Sequence, residues 1–125
     1  ENWAYRLIKS LTPGPYTFIL PATRQLPKIL AHPKRRTIGI RVPDHPLVRA
    51  MLEELGEPIM SSTLMLPGDD RPLTDPMEIE QRIGHEIEAV VESGPGGIGS
   101  TTVLDLSGGS VEVLRVGLGD VSQFT

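Results

Sequence analysis

Residues 101–115 read TTVLDLSGGSVEVLR, two runs rich in β-branched residues on either side of SGGS. The runs at 101–106 and 111–115 have strand composition, and the glycine pair between them supplies a tight turn. Further upstream, 86–92 (EIEAVVE) and 58–63 (PIMSST) predict two more strands. Towards the N-terminus strands and helices interleave. Residues 2–10 place Trp3, Leu7 and Ile8 on one helical face, and TPGP stops that helix. YTFIL (16–20) predicts a strand, residues 24–31 a short basic helix closed by His32-Pro33, and TIGIR (37–41) another strand. Pro46 suits the first turn of a helix running to Leu55, with Gly56 as its stop. Asp75, Pro76 and Glu78 mark the start of a further helix that ends near Gly84. Interleaved elements followed by a run of strands predict an α/β domain on a mixed sheet.

A chain of 125 residues suffices for one hydrophobic core and not for two. The absence of cysteine excludes disulfides and thiolate metal ligands, and fits a reducing compartment. With no long apolar run and no signal-peptide core, the sequence predicts a cytoplasmic protein without a membrane partner. The chain starts at Glu1, so a processed product or a piece of something longer is expected. The net charge of −4 conceals an asymmetry. Residues 1–50 carry nine of the twelve Lys and Arg against Glu1 and Asp44, a charge of +7, which leaves −11 over the remainder. Such a split permits either a basic face or mutual neutralisation within the fold.

Several chemistries are excluded by spacing. Gly94, Gly96 and Gly99 match G-x-G-x-x-G, yet a β-branched run follows where a dinucleotide loop needs a helix. No G-K-[ST] and no G-x-S-x-G occurs. His32, His45 and His85 are isolated, so no metal site is predicted. The acid-rich segment 75–82 reads as a solvated face, and HPKRR (32–36) as a phosphate-contacting run without interleaved aromatics.

What remains is a set of hydroxyls and arginines at strand ends. Arg41 closes one strand, Ser61, Ser62 and Thr63 close another, Thr101 and Thr102 open a third, and Arg115 closes a fourth. Guanidinium forks beside hydroxyls suit carboxylate or phosphate recognition, and ligands of α/β sheets collect beyond the carboxyl ends of strands. The alternative is that Arg41 pairs with Asp44 or Glu57 and that the hydroxyls cap local turns. From the residues alone the two readings stand level.

The blocks TPGPYTFILPAT, TIGIRVPDHP, LGEPIMSSTLMLPG, TTVLDLSG and VEVLRVGLGDV resemble the YrdC-like family, whose best-known members are L-threonylcarbamoyladenylate synthases. LMLPG, in place of the synthases' S-A-N-x-S-G, is similar to the YciO branch. The resemblance spans nearly all 125 residues and implies a twisted, open α/β sheet of the YrdC/RibB-like kind around a concave basic cavity. It implies condensation of L-threonine, bicarbonate and ATP, with Mg2+, into threonylcarbamoyl-AMP for transfer to tRNA. Double-stranded RNA binding without turnover is the alternative function. Carried across, the resemblance puts Arg41, Thr63 and Thr101 on L-threonine and Thr37 and Arg115 on nucleotide. Lys34, Arg35 and Arg36 are the RNA-binding candidates. Met65 stands where the synthases have asparagine and Pro67 where they have serine, which removes amide donors from a phosphate-facing loop. The synthases' P-T-D-T-x-Y-G-L and K-x-R signatures do not occur. The expectation is therefore residues 1–125 as the C-terminal portion of one such domain, with little synthase activity of its own. Exposed sheet edges would favour a homodimer.

Overall fold

In a computed structural model of the chain, the described residues are 2–27, 30–91 and 100–124. They form helices α1 (Asn2–Leu11), α2 (Pro46–Leu55) and α3 (Pro76–Ile83) and strands β1 (Tyr16–Pro21), β2 (Thr37–Arg41), β3 (Thr102–Asp105) and β4 (Glu112–Arg115). Short 3-10 turns cover Gly84–Glu86 and Ser122–Phe124. The fold is α/β, on a four-stranded mixed sheet of order β2-β1-β3-β4. Two compact units are distinguished, Glu1–Arg49 with Gly99–Thr125, and Ala50–Ile98.

The first unit contains the sheet. β1 runs antiparallel to β2 and parallel to β3, and β3 is antiparallel to β4. Because successive strand side chains alternate in direction, Tyr16 and Phe18 of β1 and Thr102 and Leu104 of β3 share one face. That face is the core. Phe18, Leu104 and Thr102 are fully buried, and Ala4, Tyr16 and Leu106 nearly so. Trp3, Leu7, Ile8 and Leu11 of α1 pack on this cluster, as their helical spacing predicts. The Tyr16 and Phe18 rings stack with centroids 6.0 Å apart, and the Tyr16 hydroxyl donates to the Asp120 carbonyl at 2.9 Å.

Buried Thr102 satisfies its hydroxyl twice over. It donates to the Gly119 carbonyl at 2.8 Å and accepts from the Gly117 amide at 2.9 Å. The chain after β4 is thereby folded back against the start of β3. A side chain at Gly117 would strike the carbonyl oxygens of Ser100 and Thr101, and one at Gly119 would enter the Tyr16 ring. Both positions need glycine because the main chain passes too close for a Cβ.

In the second unit α3 starts as its sequence predicts. Asp75 is the N-cap, its carboxylate accepts from the Met77 amide at 3.1 Å, and Pro76 follows. Arg82 near the end of α3 forms a forked pair with Asp69, at 3.0 and 3.3 Å. Three expected elements differ. Residues 58–63 form no strand, Ile59 and Met60 are exposed, and no strand among the described residues pairs with the segment. Residues 86–91 likewise carry no strand: a 3-10 turn takes the first of them, and Ile87 and Val91 are exposed. The described residues of 24–31 show a turn at 24–26 and a 3-10 position at Leu30 rather than an α-helix, with Leu26 N bonded to Thr23 O and Leu30 N to Pro27 O. Pro27 has no amide hydrogen to continue a helix. The glycines at 94, 96 and 99 lie outside the described residues.

Candidate functional site

The face of the sheet opposite the α1 cluster carries the polar groups. Sheet register pairs Arg41 with Thr17, Thr17 with Val103, and Val103 with Arg115. Residues in register project to the same side, so these four form one row across all four strands. Thr101, two residues before Val103, projects to the same side. With strands about 4.8 Å apart, the ends of the row, Arg41 and Arg115, stand on strands about 14 Å apart.

Hydrogen bonds organise the row. Arg115 donates from Nε to the Thr101 carbonyl and from one Nη to Thr101 Oγ1, each at 3.0 Å. Thr101 Oγ1 lies 2.7 Å from Thr17 Oγ1, joining residues 84 apart in sequence. Arg41 is exposed, and among the described residues it forms no ion pair. Asp44, one of its two expected acid partners, is instead 3.7 Å from Arg49 in a solvent-exposed pair. Thr37 projects to the same face as Arg41 and is paired with Pro21.

The row sits where β1 and β3 begin, not beyond the carboxyl ends of parallel strands. The outer strands explain this. β2 and β4 run opposite to β1 and β3, so their last residues, Arg41 and Arg115, arrive where the inner pair starts. Thr102, which the sequence groups with Thr101, faces the core and is consumed by Gly117 and Gly119. Thr17 is absent from the sequence-derived set although it stands at the centre of the row. Its signal was its position between Tyr16 and Phe18, a hydroxyl on the face that the aromatics leave.

The other candidates lie elsewhere. Thr63 belongs to the second unit, exposed in an irregular stretch beside Met65, which is also exposed. Lys34, Arg35 and Arg36 form an exposed turn ahead of β2. His32 Nδ1 accepts from the Lys34 and Arg35 amides at 3.2 Å each, and Arg36 takes a φ of 55°. Two hollows of the second unit, about 320 and 300 Å³, are lined chiefly by apolar side chains such as Met77, Val90, Met51 and Ile59. Among the described residues no cluster of acids and histidines is placed to hold a metal ion, and no helix is long and apolar enough to cross a membrane.

Asp105 shares the face of the row. The Ser107 hydroxyl at 2.6 Å and then the Ser107 amide at 2.9 Å hold its carboxyl below the ordinary range, with a smaller contribution from Arg35. A depressed folded-state value means that the unfolded chain binds protons first. The stabilisation is complete above about pH 4 and is lost as pH falls through the lower folded value. Ser107→Ala should return the Asp105 titration, followed by carboxyl-carbon NMR, towards the ordinary value. The stability difference between variant and parent should shrink in acid, where both carboxyls are protonated; a difference that persists unchanged there would contradict this account.

A model of the Sua5/YciO/YrdC family, described as "Telomere recombination", matches residues 1–117. The chain belongs to the Sua5/YciO/YrdC family. The YciO protein of Escherichia coli K12 is 46% identical over 124 residues, covering 99% of this chain and 60% of the relative. The E. coli YciO crystal structure superposes with a TM-score of 0.89, covering 100% of this chain and 61% of the other. The threonylcarbamoyl-AMP synthase of Bacillus subtilis 168 is 35% identical over 117 residues, which are 91% of this chain and 33% of the synthase. A P. abyssi Sua5 structure complexed with L-threonine has a TM-score of 0.83 at 24% identity, covering 99% of this chain and 36% of Sua5. That last likeness is one of fold. The chain thus spans about three-fifths of the length of its YciO relatives and is a YciO-type member of a family that includes threonylcarbamoyl-AMP synthases.

Proposed function

We propose that the arginine and threonine row of this YciO-type chain binds a small carboxylate ligand, L-threonine, beside a nucleotide. The observation that carries the proposal is Arg41, without an acid partner among the described residues, in register with Thr17 and in one row with Arg115. A guanidinium on a sheet edge next to a hydroxyl pair recognises a carboxylate in a way that a lysine would not, through planar paired donors. In this reading Arg41 and Thr101 take the amino acid, and Thr37 and Arg115 take the nucleotide, ATP with Mg2+. The chemistry served is the synthesis of threonylcarbamoyl-AMP from L-threonine, bicarbonate and ATP. Support comes from membership of the family of threonylcarbamoyl-AMP synthases and from a Sua5 neighbour complexed with L-threonine.

Titration calorimetry with L-threonine, alone and with ATP, tests the proposal. Arg41→Ala should weaken L-threonine binding by about tenfold to a hundredfold, the range expected for one lost charge-assisted contact. Arg41 is exposed at a strand end, so the unfolding midpoint should stay near that of the parent. Unchanged L-threonine affinity in the variant would remove the site from the row.

A second reading, double-stranded RNA binding without turnover, rests on the exposed Lys34, Arg35 and Arg36 turn. Its mark is affinity that falls steeply with salt and ignores L-threonine, with the salt slope lowered by roughly one for each basic residue replaced.

A further inference from the structure

We propose that Thr17 is a positioning residue of the row: through the Thr101 hydroxyl it fixes the Arg115 guanidinium and aims one O–H donor at an oxyanion of the bound ligand. For the identity of that ligand, the inference rests on the function proposed above.

Thr101 Oγ1 accepts from an Arg115 Nη and lies 2.7 Å from Thr17 Oγ1. A hydroxyl has one proton and two acceptor positions. When Thr17 donates, both acceptor positions of Thr101 are filled, and the Thr101 proton is the one donor left. When Thr101 donates instead, the spare proton belongs to Thr17. In either arrangement the pair keeps one O–H donor and two acceptor positions, between the arginines of β2 and β4. The two guanidiniums that flank the pair make the site suit an anion and not a cation, and the free O–H adds a neutral donor between them.

Thr17 also holds the geometry. Its main chain is in register with Arg41 on one side and Val103 on the other, so it is fixed by two strands. Arg115 is held by the Thr101 carbonyl and by the Thr101 hydroxyl. The carbonyl is part of the main chain, whereas the hydroxyl can rotate. Thr17 is the group that stops it.

The test uses Thr17→Val, which keeps shape and strand propensity while deleting the hydroxyl, and Thr17→Ser, which restores it. Thr17→Ala serves as a second hydroxyl-free variant should valine disturb folding. Two quantities are read: the Arg115 Nε–H resonance in ligand-free protein, and L-threonine affinity by calorimetry. Deletion should move the Arg115 resonance and weaken L-threonine by about tenfold, while the serine variant stays within about threefold of the parent in affinity and keeps the parent resonance. An Arg115 resonance unmoved by either deletion would overturn the proposal, as would a serine variant that behaves like valine. If the parent binds no L-threonine but deletion still moves Arg115 and serine restores it, the positioning role holds and the ligand assigned above is wrong.

Discussion

Phe18→Ala should lower the urea midpoint of unfolding steeply, so that the variant is unfolded at urea concentrations where the parent is still folded. Phe18 has no solvent exposure, and only Ala4, Tyr16, Leu104 and Leu106 accompany it as buried apolar side chains among the described residues. Truncating a buried phenylalanine costs about 3–5 kcal/mol through lost transfer energy and the cavity left behind. Domains of this size have a total stability of about 5–15 kcal/mol. The stacked Tyr16 ring loses its partner as well. Equilibrium urea unfolding, with Phe18→Leu as a smaller truncation, measures the loss. A destabilisation under about 1 kcal/mol would mean that this residue is not the centre of the core.

Thr102→Val should be nearly as damaging although it keeps the branched shape of the side chain. The valine fits the space but orphans two main-chain groups, the Gly117 amide and the Gly119 carbonyl. Each buried group left without a partner costs about 1–3 kcal/mol, so a combined loss of about 2–6 kcal/mol is expected. The methyl group that valine adds offsets a small part of this. Thr102→Ser keeps the hydroxyl and should lose only the value of one methyl, about 1 kcal/mol. Serine more stable than valine at a fully buried strand position is the reverse of what hydrophobicity alone predicts. The opposite order, measured by thermal or urea unfolding, would show that the two glycine groups find other partners.

The contrast between Thr101 and Thr102 shows how far the sequence could be read. Both are hydroxyls at the start of the same β-branched run, and composition treats them alike. Strand parity separates them: Thr102 keeps step with Leu104 and Leu106, and Thr101 with Val103 and Asp105. The four strands of the sheet were legible because YTFIL, TIGIR, TTVLDL and VEVLR each combine β-branched residues with flanking turn signals. PIMSST and EIEAVVE look similar in composition, but no neighbouring strand takes up their hydrogen bonds among the described residues. A short alternating run without a partner has no reason to stay extended.

Arg41, Thr101 and Arg115 were visible as strand-end groups, and Thr37 only through the family resemblance. Their placement on one face was not visible, since it depends on two antiparallel pairings and one parallel pairing acting together. Thr17 was hidden for the same reason. Between two aromatic residues it reads as strand filler until register sets it beside Arg41.

The parallel pairing of β1 with β3 joins segments that lie at opposite ends of the chain, and the Thr17–Thr101 contact depends on it. Such a juncture is reached by closing a long loop, which is among the slower events in folding. The row of arginines and threonines therefore cannot exist in a partly folded chain that has made only its local hairpin. By mass action, a small molecule seated there would act as a clasp on that closure, so that ligand concentration and resistance to unfolding rise together.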